Sequence, residues 1–239
     1  GTTASKGVVT VRIRYDGPLP RNLAAAVVND TERRVRDALG AFVIAAPTDA
    51  TDASATASSA SLPEAVLTAL ASRAQTLAVV ESCTGGLLGA ALTAVPGSSR
   101  TFLGGWITYS NEMKSAHAGV ARERFATDGA VSRRVASEMA AGGLDRSGAD
   151  HCLAITGIAG PDGGTPDKPV GTVWIALASR AGVASTAAPG ATAAPAIDAR
   201  RFRMIGDRAA VRDWSVSAAL GLLWLTLAGQ STRVKLLRE

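Results

Sequence analysis

Apolar and polar residues alternate along VVTVRIR, residues 8–14, in the two-residue rhythm of a half-buried strand. From about Asn22 to Leu39 the pattern becomes helical, with charges at positions 30, 32, 33, 34, 36 and 37, and Gly40 provides the stop. AFVIAA, residues 41–46, reads as a short second strand. The predicted α+β unit over 1–46 is too small to stand comfortably alone. PTDATDASATASSAS, residues 47–61, has no period and reads as a linker, so a second domain is expected over 62–239.

Beyond the linker the alternation of elements is regular. A helix is predicted over about 63–74, the strand LAVVE over 77–81 and a helix over 86–95. FLGGWITYS (102–110) reads as a strand, with a short helix starting near Asn111. A helix over 131–146 leads into the strand HCLAIT (151–156). The loop GIAGPDGGTPDKP carries four glycines and three prolines, so no regular element crosses it. VGTVWIALAS (170–179) and IDARRFRMI (197–205) read as strands joined by a long, low-complexity hairpin connection, RAGVASTAAPGATAAPA. A helix from about Asp207 to Ala228 closes the domain. Strands alternating with helices, plus one antiparallel pair, predict a three-layer α/β/α sandwich on a mixed, mostly parallel sheet.

Composition narrows the class. The 239 residues are 47% hydrophobic and 19% charged, which suits a globular chain with a large core. The longest apolar stretch, WSVSAALGLLWLTLA at 214–228, is short for a membrane span and carries Ser215, Ser217 and Thr226, so it reads as a core helix. No charged start leads into an apolar run, so no signal peptide is read. Two cysteines, Cys83 and Cys152, make no disulfide framework, and a cytoplasmic location is expected. Two histidines argue against a His-rich metal site. The net charge of +5 is spread along the chain, and the basic clusters RRVR (33–36) and RVKLLRE lack interleaved aromatics. The sequence therefore does not support a nucleic-acid groove, whereas an anionic small substrate is compatible.

Candidate chemistry gathers at strand ends. In such a sheet, ligands bind where strands stop at their carboxyl edge and helices begin. ESCTGG, residues 81–86, occupies one such place, with three possible nucleophiles before two glycines. A hydroxyl there can attack a carbonyl while neighbouring N–H groups stabilise the oxyanion. Taken alone, the stretch is more simply read as an N-cap, Ser82 or Thr84, before a tight glycine turn. GGWITYSNEMK places Tyr109 at a second strand end and Lys114 one turn into the next helix, and ITGIAGPDGG ends a third strand in a glycine-rich loop. Three polar, glycine-flanked loops at three strand ends can converge on one cleft.

ESCTGGLLGAALTAVPGSS, FLGGWITYSNEMK, DGAVS and ITGIAGPDGGTPDKPVGTVWIAL resemble the motifs of the CinA carboxyl-terminal domain, the nicotinamide mononucleotide deamidase family, over about residues 62–229. The resemblance implies a serine amidohydrolase that uses a Ser/Lys pair and requires no metal or other cofactor. Carried across by motif, it makes Ser82 the nucleophile and Lys114 the base, with Tyr109 assisting. Thr156, Gly157 and Arg208 fall at substrate-binding positions, and N–H groups from Thr84, Gly85 and Gly86 would hold the oxyanion. The chain has RMIGDR where an aromatic often precedes the glycine–acid–arginine group. Residues 8–45 resemble the small KH-like segment that precedes this domain in longer CinA proteins, but they contain no G-x-x-G clamp, so RNA binding is not inferred. By the same resemblance the chain is expected to be part of a longer layout with an amino-terminal domain similar to molybdopterin-binding proteins. An association with competence and DNA damage response comes with the family name only.

Several residues keep a second reading. Cys83 is a rival nucleophile, because a thiolate at a helix start is activated. His117, three residues after Lys114, shares its helix face and is a rival base. Glu81 either orients the site or meets solvent. Asp162 and Asp167 suit turns. A homo-oligomer is expected. A nucleotide-sensing or partner-binding module without turnover is the alternative function, and ammonia release from the mononucleotide distinguishes the two.

Overall fold

The computed structural model describes residues 2–5, 8–44, 61–180 and 194–230. At the amino-terminal end, β1 (Thr2–Ser5) and β2 (Val8–Val11) pair antiparallel, and α1 (Arg21–Leu39) follows. The strand expected over 8–14 is thus shorter, and β1, whose TTAS has no apolar alternation, was not expected. Where 41–46 was expected to be a strand, Gly40–Phe42 forms a single 3-10 turn. Residues 45–60, which hold most of the expected linker, lie outside the described residues.

The larger part is built from α2 (Leu62–Ala71), β3 (Leu77–Glu81), α3 (Leu87–Thr93), β4 (Phe102–Ile107), α4 (Asn111–Ala118), α5 (Glu123–Thr127), α6 (Arg133–Ser147), β5 (His151–Gly157), β6 (Thr172–Ser179), β7 (Ala196–Arg203) and α7 (Arg208–Leu227). The five strands form one sheet in the order β4-β3-β5-β6-β7. β4, β3 and β5 run parallel, while β6 and β7 join by antiparallel pairing. The sheet is mixed as expected, with two antiparallel pairings rather than one. Most of the connection between β6 and β7 lies outside the described residues.

Side-chain alternation sorts the core into two unequal faces. Leu77, Val79, Leu153, Ile155, Val173, Ile175 and Leu177 point to the side covered by α2, α3 and α7. Ala78, Val80, Cys152, Ala154, Ala176 and Ala178 point to the side covered by α6. The first face carries large side chains and the second mostly small ones, so α6 lies close to the sheet. Glycine in α6 makes that approach possible. A Cβ on Gly143 would sit 2.5 Å from Val80 Cγ2 and 2.6 Å from Cys152 Sγ, and one on Gly142 would collide with the Ala118 carbonyl of α4. The apolar stretch at 214–228 is the core-facing part of α7, whose Ser215 and Thr226 hydroxyls bond back to Val211 O and Leu222 O. Among the described residues no helix is long and apolar enough to cross a membrane.

At the amino edge of the sheet His151 opens β5 in full burial, its Nδ1 2.8 Å from Ser179 Oγ and its Nε2 3.2 Å from Gln75 Oε1. Burial pushes its pKa down to about 4, while Asp150 opposes the shift.

Two outcomes follow from this packing. Gly143→Ala should destabilise the protein by about 1–3 kcal/mol even though alanine is the better helix former, because the added methyl overpacks the α6–sheet contact. Urea unfolding should show a lower midpoint at unchanged slope. For His151, the unfolded ring takes up its proton near pH 6.5 and the folded ring only near 4, so stability is full above 6.5 and falls as pH drops through that window. The loss should reach about 3 kcal/mol by pH 4, and His151→Gln should lose correspondingly less stability between pH 7 and pH 4.

Candidate active site

Parallel strands β3 and β4 end side by side, and the chain leaves both at the same edge. After β3 comes the turn Ser82–Gly86, and after β4 the loop Thr108–Ser110. Thr108 N ties the two together by donating to Glu81 O at 2.7 Å. Ser110 caps α4 by accepting from Met113 N, which sets the first turn of that helix. Helical side chains lean toward the helix start, so Lys114 reaches back into the sheet edge.

There Lys114 is buried, with 2% of its surface exposed. Its Nζ lies 3.0 Å from Ser82 Oγ, 2.9 Å from Thr108 O and 3.2 Å from Tyr109 O. Ser82 is 7% exposed, and its backbone N–H donates to Ile155 O at 3.0 Å, which fixes it against β5. Burial holds the Lys114 pKa below the ordinary lysine value, against opposing contributions from Cys83 and Glu112. The two carbonyls take two N–H bonds. A neutral amine then has its lone pair left for the Ser82 hydroxyl, and this is the geometry of a base poised on an alcohol.

Both groups open into a cavity of about 190 Å³ lined by Ser82, Cys83, Tyr109, Asn111, Lys114, Ala130, Val131, Thr156, Gly157, Ala159 and Arg208. Of the residues singled out in the sequence, the structure gathers Ser82, Cys83, Lys114, Tyr109, Thr156, Gly157 and Arg208 here. Tyr109 is 62% exposed, and its hydroxyl accepts from Arg208 Nη2 at 3.1 Å. Its tie to Lys114 is through the backbone carbonyl. Arg208, the first residue of α7 behind the N-cap Asp207, also donates to Gly160 O at 2.7 Å. Thr156 is buried at the end of β5 with its hydroxyl donating to Ala130 O at 2.9 Å, a bond that holds the loop before α6 against the cavity.

Thr84, Gly85 and Gly86 are not brought into the cavity walls. Gly85 N–H donates to Ser82 O at 3.0 Å and Gly86 N–H to Glu81 Oε2 at 3.0 Å, so neither is free to hold an oxyanion. The reason is Glu81. Its buried carboxylate also accepts from Leu88 N at 3.0 Å and Gly89 N at 2.8 Å, filling the start of α3 with the chain's own anion. Glu81 therefore shapes the site and does not meet solvent. The N–H groups of Cys83 and Thr84 bond to no other residue among those described.

Cys83 is buried beside Ser82, and burial raises its thiol pKa to about 11, so it is a protonated thiol at neutral pH. His117 is exposed on α4 and is not a wall of the cavity. His151 lies at the opposite edge of the sheet. Among the described residues no three His, Cys, Asp or Glu side chains group closely enough to hold a metal ion. Asn111, Ala130, Val131 and Ala159 carried no assignment in the sequence. The first sits in YSNEMK and the next two in DGAVS, so the motifs were in view and the individual side chains were not.

Comparison with known proteins gives this geometry its relatives. Residues 59–227 match the family described as the CinA C-terminal domain. A CinA-like protein of Chlorobium luteolum is 43% identical over 196 residues, which are 82% of this chain and 41% of that protein. Another, from a Synechococcus strain, is 41% identical over 228 residues, 95% of this chain and 49% of its own length. The chain thus spans less than half the length of each of these two relatives. Nicotinamide-nucleotide amidohydrolase PncC of Escherichia coli K12 is 45% identical over 163 residues, 68% of this chain and 91% of that protein. The crystal structure of the competence/damage inducible protein CihA from Agrobacterium tumefaciens superposes with a TM-score of 0.62 at 36% identity, covering 69% of this chain and 93% of that one. With its family domain over most of its length, the chain belongs to the CinA family.

Proposed function

We propose that the protein hydrolyses the carboxamide of nicotinamide mononucleotide to nicotinate mononucleotide and ammonia. The observation that carries this reading is the Lys114 Nζ to Ser82 Oγ contact of 3.0 Å, buried at the floor of a cavity. The 45% identity to an Escherichia coli nicotinamide-nucleotide amidohydrolase supports the substrate class. The reading assigns the activity to residues 62–239, because every wall of the cavity lies at or beyond Ser82, and treats 1–46 as an appended unit.

Neutral Lys114, holding Thr108 O and Tyr109 O with its two N–H groups, accepts the Ser82 proton as Oγ attacks the amide carbon. The oxyanion rests on the N–H group of Cys83, which lines the cavity, in place of those of Thr84, Gly85 and Gly86, which do not. The ammonium then returns a proton to the departing nitrogen, which leaves as ammonia. Water, deprotonated by the same amine, cleaves the ester and restores Ser82. This follows the known Ser–Lys variant of triad chemistry. Arg208 and the backbone near Gly157 and Ala159 hold the phosphate end, and a guanidinium suits a phosphate because its donors are paired in a plane.

The base must be neutral to act, so activity rises with pH through the loss of the Lys114 proton. Its inflection should lie below the ordinary lysine value of 10.5. Ser82→Ala and Lys114→Ala should each lower kcat by about 10³-fold or more, with the double variant little worse, because the two act as one unit. Cys83→Ser should retain most activity. Ammonia release measured across pH checks all of these. Nucleotide binding without ammonia from the parent protein would make it a binding module instead.

Arg208→Ala should raise KM for the mononucleotide about tenfold or more while kcat stays within a few-fold. KM for the corresponding nucleoside, which lacks the phosphate, should change little. An equal effect on both substrates would make Arg208 a strut between Gly160 and Tyr109 and nothing more.

A further inference from the structure

Gly85 and Gly86 lie at φ +58° and +93° in the turn that carries Ser82. Two successive glycines in left-handed conformations give this turn little intrinsic stiffness. Its two internal backbone bonds, Gly85 N–H to Ser82 O and Leu87 N–H to Thr84 O, are joined by contacts from outside the turn. On one side Glu81 holds the N–H groups of Gly86, Leu88 and Gly89. On the other, Arg212 Nη2 donates to the Thr84 carbonyl at 2.8 Å. The guanidinium packs closely enough that a side chain at Gly85 would begin 3.4 Å from Nη2. The Thr84–Gly85 peptide is thus fixed at both polar ends, its carbonyl by Arg212 and, at 3.3 Å, by the Leu87 N–H, and its N–H by Ser82 O. Arg212 stands one turn beyond Arg208 on α7 and is not a wall of the cavity.

We propose that Arg212 is a positioning residue, which reaches across from α7 to hold the nucleophile turn and so keeps Ser82 Oγ at its distance from Lys114 Nζ. Its bond to Thr84 O is charge-assisted, and it comes from a helix anchored in the core, so it restrains the turn more firmly than a neutral loop contact. Because the guanidinium touches no part of the cavity, it acts on reactivity and leaves substrate binding alone.

The kinetic arm of the test rests on the amidase reading, so a second arm is independent of it. Diisopropyl fluorophosphate labels an activated serine: an Oγ–P bond forms, the P–F bond breaks, fluoride leaves and the serine proton passes to Lys114. Labelling rates at Ser82, together with kcat and KM for the mononucleotide, would be measured for the parent, Arg212→Met and Arg212→Lys. Arg212→Met should lower kcat and the labelling rate together by about 30-fold, the scale expected of a misplacement near 1 Å or less. KM should stay within threefold, the pH inflection of Lys114 should not move, and Arg212→Lys should recover much of the loss. Labelling and kcat at the parent level in Arg212→Met would overturn the proposal. So would a loss that follows a lowered unfolding temperature and is not recovered by lysine. If the parent is labelled at Ser82 but releases no ammonia, the substrate reading fails and the labelling series still decides the role of Arg212. Where the probe does not reach Ser82, the split between kcat and KM decides it.

Discussion

A lysine amine can be buried only where acceptors meet its N–H groups, and the carboxyl edge of this sheet is arranged around that requirement. β4 stops at Ile107 and α4 starts at Asn111, so the carbonyls of Thr108 and Tyr109 belong to neither the ladder nor the helix. Both turn to Lys114 Nζ, and the Ser82 hydroxyl lies 3.0 Å away on its remaining side. Leaving a buried N–H without its acceptor costs about 1–3 kcal/mol. The same contacts that make the amine tolerable in the core therefore also aim it at the serine. Folding and reactivity share one set of hydrogen bonds here.

The charges around that amine are divided by function. Glu81 is as deeply buried as Lys114, yet its carboxylate is spent on the start of α3 and not on the amine. A helix start normally invites an anion. In this protein that invitation is answered internally, so an anion entering the cavity would meet its cation elsewhere, and Arg208 places a guanidinium at the cavity wall. Burial then weakens the charged form of Lys114, Glu112 opposes it only from a distance, and among the described residues no carboxylate makes a salt bridge with the amine.

Much of this was legible in the sequence. LAVVE is a run of five buried residues, and its limits coincide with β3 because Glu81 and the glycines end it sharply. The helices expected over about 63–74, from near Asn111 and over about 207–228 stand at 62–71, 111–118 and 208–227, capped by Ser61, Ser110 and Asp207, the first ending three residues early. The short α5 was not legible, because five residues do not establish a helical period. At the site, strand-end reasoning brought the loops of ESCTGG, GGWITYSNEMK and ITGIAGPDGG to one edge, and the family resemblance singled out Ser82, Tyr109, Lys114 and Thr156 within them. Neither could locate the partners that arrive from a distance. Arg212 and Thr84 are 128 residues apart, and nothing in VRDW marks a side chain that reaches a turn on another element. Glu81 offered a signal, a charge closing an apolar strand just before a helix, but the sequence does not say whether such a carboxylate turns out to water or in to N–H groups.

The thinness of the α6 side of the sandwich reaches further than the core. α6 is held against the sheet at Gly143, and its other end carries the Ala130–Val131 wall of the cavity. About 15 Å of continuous helix, at 1.5 Å per residue, runs from Gly143 back to Arg133, where the Ala130–Val131 loop joins it through the N-cap Ser132. The interlayer gap set by alanines and glycine therefore also sets where the Ala130–Val131 wall stands. Side-chain volume on that face bears on the width available to a ligand, and residues that line no cavity share in setting it.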